Sequence, residues 1–144
     1  MSAWTCTGRR GSRPLGMAAR WCCPHSLALV SLRAGHPGEA RDLLSGMLDY
    51  VASSGNTALL ENALELSAAI TAELGGALRA ARLAGAAEAI RQESGMLITE
   101  LEAAMLEQFL APARLTVTSQ AWDAELAAGR ALTQQEAVTL LLTP

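Results

Sequence analysis

The chain has no lysine, one phenylalanine and one tyrosine, and all eleven of its basic residues are arginine. The missing lysine excludes a P-loop, whose grip on phosphate needs that side chain, so the chain is not itself an ATPase. Runs of Val, Ile, Thr and Tyr are nearly absent. With strand formers scarce and Ala and Leu dominant, helix is favoured almost everywhere. No stretch approaches the ~20 consecutive apolar residues of a membrane-crossing helix. Arg20 cuts short the apolar stretch that follows Arg9, Arg10 and Arg13, so no secretory signal develops and a cytoplasmic location is the default. Cys6, Cys22 and Cys23 are odd in number, and two are adjacent. They make no disulfide framework, and reduced thiols suit the cytoplasm.

What is present is one domain's worth of sequence, 144 residues, with its charge unevenly placed. Residues 1–36 carry five Arg and no acid, while residues 37–144 carry six Arg against fourteen acids. An acidic body lacks the clustered cations that phosphate contacts require, so direct nucleic-acid binding is not expected. Residues 1–24 have no apolar periodicity, two prolines and three glycines. Such a segment cannot offset its ordering entropy, and it reads as a disordered basic head, with a misplaced start as the competing reading. Residues 25–144 form the helical domain.

Seven helices follow from periodicity and punctuation. The first runs from Ser26 with Leu27, Val30 and Leu32 or Ala34 on one face and Gly35 as its C′ residue. His36 and Pro37 read as N-cap and N1 of the second, whose stripe is Ala40, Leu43, Leu44, Met47, Leu48 and Val51. It runs unbroken to about Ser54, with Gly55-Asn56 as the stop. The third spans Thr57 to Leu74, with Glu61, Glu65 and Glu73 off its apolar line, and Gly75-Gly76 ends it. The fourth, from about Leu78 to Ser94, carries Ala81, Leu83, Ala84, Ala87 and Ile90. Its interior Gly85 costs about 1 kcal/mol relative to Ala, which a closely approaching neighbour backbone would offset. Thr99 and Glu102 open the fifth helix with a capping box, and Pro112 disrupts or kinks its end. Ser119 caps the sixth, which Gly129 closes after Ala128, and Thr133 with Glu136 opens the seventh. Gly35 to Leu43 aligns with Gly75 to Leu83 at an offset of 40, matching the Gly pair, Ala40 with Ala80 and Leu43 with Leu83. Recurrence at the second helix of each pair is the mark of stacked helical hairpins.

Chemistry-bearing clusters are few. His25 beside Cys22 and Cys23 lacks the two separated ligand pairs of a zinc site, so no metal or cofactor is expected. Glu100, Glu102 and Glu107 suit capping and a solvated face, since no Glu-x-x-His motif accompanies them. Ser45-Gly46 and Ser94-Gly95 lack the strand-turn-helix elbow of a nucleophile, and no general acid–base site stands out. Arg79, Arg82 and Arg91 read as a solvated face matched by Glu88 and Glu93.

Ala80–Gln92 (AARLAGAAEAIRQ) and Trp122–Val138 (WDAELAAGRALTQQEAV) resemble the end of the tetratricopeptide-like helical region in LuxR-type and AfsR/MalT-like ATPase-linked transcriptional regulators. There an aromatic Phe commonly stands where this chain has Trp122, and a Trp where it has Leu126. Positions i and i+4 share a face, so the exchange preserves a buried anchor. The resemblance implies an all-α fold of tetratricopeptide-like antiparallel helix pairs, an α-solenoid end with C-terminal capping helices. Trp122, Leu126, Gly129, Arg130, Thr133 and Glu136 would form the cap, with Arg130 and Glu136 available for local pairing. Ala40, Leu43, Leu44, Ala80, Leu83, Ala84, Gly85 and Ala87 would pack the repeats. It further implies a non-catalytic module for protein interaction or signal sensing, a C-terminal fragment without the ATPase or DNA-binding domain. Its partners would be other proteins or regulator domains, or a second copy through self-association. The alternative is a small-molecule-binding helical bundle, with a pocket among Met47, Trp122 and the fourth helix.

Overall fold

The computed structural model describes residues 17–144, with side chains from residue 24 onward. Every element in that span is a helix: α1 (Met17–Arg33), α2 (Pro37–Ser45), α3 (Leu48–Ser54), α4 (Thr57–Glu73), α5 (Ala77–Ser94), α6 (Glu100–Arg114), α7 (Ser119–Arg130) and α8 (Gln134–Leu142). The fold is all-α, and no described helix is long and apolar enough to cross a membrane.

Glycine sets the turns. Gly35, Gly55, Gly75 and Gly95 fall every twenty residues, and all four adopt positive φ, at 87°, 65°, 90° and 67°. L residues with a side chain avoid that region, so each glycine ends one helix and redirects the chain. After α1, α4 and α5 the same six-residue closing bond recurs, from His36 N to Ser31 O (2.9 Å), Gly76 N to Thr71 O (2.9 Å) and Met96 N to Arg91 O (3.1 Å). The forty-residue offset is thus repeated in the backbone, with Gly35 matching Gly75 and Gly55 matching Gly95 within a few degrees.

Several helix bounds differ from those expected. α1 starts at Met17, not Ser26, and carries Pro24 inside. The part of the expected disordered head at 17–24 is therefore helical backbone, while residues 1–16 lie outside the described span. Its buried line is Ala28 and Leu32, four apart, whereas Leu27 and Val30 are exposed. The single second helix is two, α2 and α3, broken at Gly46 and Met47. There Met47 N turns back three residues to Leu44 O (2.9 Å), because glycine holds an extended helix poorly. Asn56 is not a stop; its side chain accepts from Ala58 N (3.0 Å) and Leu59 N (3.2 Å) and caps α4. Thr118, not Ser119, caps α7 through Ala121 N (3.1 Å), and α7 continues through Gly129 to Arg130.

The core is centred on α4 and α5, where Leu60, Leu64 and Leu83 are the largest fully buried side chains. The two helices form an antiparallel hairpin, because Arg91 near the end of α5 meets Glu61 near the start of α4. Alanines 63, 68, 80, 81 and 87 line this interior, and small side chains let helices approach closely. α2 and α6 pack on α4, α7 packs on α5, and α1 packs on α2 and also touches α4. α8 returns across α3, α4 and α5.

α5 and α7 cross at two glycines. A Cβ on Gly85 would press into Leu126 O and stand 3.1 Å from Arg130 N; one on Gly129 would press into Arg82 O and stand 3.0 Å from Ala86 N. The ion pairs Arg82–Glu125 and Glu88–Arg130 advance together along both helices, so α5 and α7 run the same way. The close backbone approach expected at Gly85 is present. Gly129, expected to terminate its helix, is the reciprocal half of that crossing.

Candidate functional site

α1 and α6 lie on either side of α4, and the space between them is a groove. Its cavity, about 160 Å³, is walled by Leu29 of α1 and Met105, Leu106 and Phe109 of α6, over Leu66 and Ala69 of α4. Polar groups stand at one end: Asn62 and Glu65 from α4, His25 from α1 and Glu102 from α6. A second cavity of about 240 Å³ shares Asn62, Glu65 and Glu102 and continues towards Glu61, Arg91 and the segment Met96–Ile98.

Below the shared edge sits a charged cluster. Glu61 and Glu65 are four apart on α4, so their side chains rise from one face. Arg91 of α5 donates from Nε (3.2 Å) and Nη2 (3.1 Å) to Glu61 Oε1, and from Nη2 to Glu65 Oε1. All three side chains are largely withdrawn from water, with 15% of Arg91, 9% of Glu61 and 19% of Glu65 exposed. Two carboxylates thus share one guanidinium. Burial pushes the Glu65 carboxyl up to about 8, its hydrogen bond with Glu61 and the charge of Glu61 push the same way, and Arg91 opposes them. Burial also lowers the His25 imidazole below its ordinary value, with Glu61 pulling the other way. Glu102 is held below the usual carboxylate range by the Thr99 backbone N–H (2.9 Å) and hydroxyl (2.8 Å), which close the α6 capping box.

This cluster was not apparent from local sequence. Glu61 and Glu65 look like an off-face charge pair, and Arg91 looks matched by Glu88 or Glu93; its partners lie instead on α4. Three other arginines also reach across elements: Arg82 to Glu125 (2.7 Å), Arg130 to Glu88 (2.8 Å), and Arg79 to Leu140 O (2.9 Å) and Thr143 O. Arg130 therefore pairs with α5 rather than locally with Glu136, which instead accepts from Thr133 N (2.7 Å) in the α8 capping box. The available signal was α4 itself. It is apolar on nearly every side, so it is central, and its mid-helix carboxylates must be interior.

The expected cap residues divide between two helices. Trp122 is 2% exposed, with the Arg114 guanidinium 5.2 Å from its ring centroid. Leu126 and Gly129 form the α5 crossing, and Thr133 with Glu136 starts α8. Of the packing set, Ala40, Ala80, Leu83 and Ala87 are fully buried, Leu44 and Gly85 are buried, and Leu43 and Ala84 are half-buried. Neither Met47 nor Trp122 lines the groove or the cavity beside it. Among the described residues no group of three or more His, Cys, Asp and Glu is arranged to hold a metal ion. The side chains of Cys22 and Cys23 fall outside those described. No protein-family model, curated protein or solved structure matches the chain.

Proposed function

We propose that this chain is a non-catalytic helical-repeat module that receives a partner segment or a signal molecule in the α1–α4–α6 groove. It would act as the tetratricopeptide-like region of LuxR- and AfsR-type regulators does. The groove carries the reading: apolar walls, a few polar groups gathered at one end, and a floor formed by the most buried helix, the composition of a recognition site. The forty-residue recurrence of glycine turns supports stacked hairpins as the scaffold. α5 pairs with α4 and, through reciprocal glycines, with α7, whereas α6 packs on α4 and not on α7. α8 departs from a simple stack, since it returns across earlier helices instead of extending the array. Leu97, which lines the second cavity, is 95% exposed, an apolar side chain available to a docking partner.

A photo-crosslinking amino acid placed in native cells tests this. With the crosslinker at Met105 on the groove wall, one discrete adduct is expected; at exposed Asp123 on α7, none. Equal labelling at the two positions would remove the groove from the proposal. The cavity also favours a second reading, a small-molecule-binding bundle, in which the Met105 adduct would be a metabolite rather than a protein.

A further inference from the structure

On a different face of α4 from the groove, residues of α2, α4, α5 and α8 line a further cavity of about 330 Å³. Leu44, Ile70 and Leu141 give it apolar walls. Its charged side chains are Arg41 and Arg79, and no Asp or Glu of the described residues lines it. That is unexpected in a body where residues 37–144 carry fourteen acids against six Arg. Four of those six, Arg82, Arg91, Arg114 and Arg130, each hold a glutamate within 3.1 Å. The remaining two are the pair at this cavity. Arg41 reaches only its chain neighbour Asp42, at 3.9 Å with both side chains mostly exposed, an ion pair of little worth. Arg79 makes no ion pair with a described residue; its Nη2 donates to Leu140 O (2.9 Å) and Thr143 O. Main-chain carbonyls orient a guanidinium but carry no formal charge, and no bond to a described residue occupies Nε or Nη1. Ser67 and Thr71, one turn apart on α4, also line the cavity, and their hydroxyls make no hydrogen bond with a described residue. A cation fixed in advance, spare donors and an apolar wall together suit an anion that brings its own apolar stem.

We propose that this cavity binds a small amphipathic anion, a carboxylate or phosphate monoester on an apolar stem. Its head is held by Arg79, with Arg41 at the exposed rim, and its stem lies against Ile70 and Leu44. Because Arg79 also holds the last turn of α8, a bound anion fastens that helix over the cavity. The cavity shares no lining residue with the groove, so the two sites stand or fall separately.

Calorimetric titration of the full chain with octanoate, octyl phosphate, 1-octanol and octylammonium tests the site. At least one of the two anions is expected to bind about tenfold or more tighter than octanol, the worth of a charge-assisted hydrogen bond, with octylammonium weakest. Arg79→Gln should erase that preference while leaving octanol binding unchanged, and Met105→Ala in the groove should leave it intact. Arg41→Gln, at an exposed position, should weaken the anion severalfold without moving the urea midpoint. If Arg79→Gln does not fold, Arg41→Gln decides the matter: an unchanged anion preference in it overturns the site. Equal binding of the anions and octanol, tightest binding of octylammonium, no binding by any probe, or loss of the preference in Met105→Ala likewise overturns it. Between the two anions, a tighter octanoate identifies the ligand class as a carboxylic acid and a tighter octyl phosphate as a phosphate ester.

Discussion

Glu65 carries a stability consequence that follows from its neighbours alone. In the unfolded chain it ionises near its ordinary 4.5, whereas in the fold burial and Glu61 push it up to about 8 against the pull of Arg91. Between those values the native state holds a proton that the unfolded state has lost. The stabilisation is therefore complete below the unfolded value and is lost as pH rises through the folded one, by at most about 1.4 kcal/mol per pH unit. The other groups at the site do not share this sign. His25, with its value lowered, contributes stability that is present above 6.5 and lost as pH falls below it. Glu102, also lowered, loses its contribution only in acid below 4.5. Subtracting Glu65→Gln from the wild type cancels both. Urea unfolding should give a wild-type advantage over the variant that shrinks between about pH 5 and about pH 8. A difference that stays constant across that range would mean that Glu65 is ionised throughout.

At the scale of the element, the crossing of α5 and α7 depends on two absent side chains. Gly85→Ala or Gly129→Ala would place a methyl against a backbone carbonyl, Leu126 O or Arg82 O, which cannot rotate away as a side chain can. Each should destabilise by about 1–3 kcal/mol, the usual cost of overpacking, read as a lower midpoint in urea. Gly38→Ala is the control. Gly38 lies in α2 with nothing within 4 Å of its Cβ position, so the better helix former should stabilise by up to about 1 kcal/mol. If all three substitutions act alike, backbone approach is not what these glycines provide. Such elements were partly legible in advance. The Thr99–Glu102 and Thr133–Glu136 boxes depend on residues three apart, and the structure closes both. Gly129 was misread because a glycine inside a helix and one at its end look the same in sequence. What separates them is a neighbour more than forty residues away, and Arg91's partners, 30 and 26 residues away, were hidden for the same reason.

At the scale of the molecule, all-helical character was open to reading from Ala and Leu abundance, and the repeated turn from the matched glycines; the groove was not. It draws His25, Glu65 and Phe109 from three helices that only tertiary packing brings together. The return of α8 was equally hidden, since its nine residues carry only a capping box and an apolar line. Yet α8 decides how the array ends. Leu141 is 3% exposed and Ala137 1%, and Arg79 of α5 donates to Leu140 O. If α8 were an outer cap lying on α7 alone, losing Leu141 would fray only the C-terminus. Because it spans α3, α4 and α5, its loosening should instead release the short helix α3, which has one buried side chain, Val51, to hold it. Leu141→Ala should cost about 2–5 kcal/mol, as large-to-small core substitutions do. Hydrogen exchange should then quicken across Leu48–Ser54 as well as across α8, while Leu60 and Leu64 in α4 keep their protection. Faster exchange confined to residues after Arg130 would show that the molecule ends as an open stack, with α8 lying on it rather than closing it.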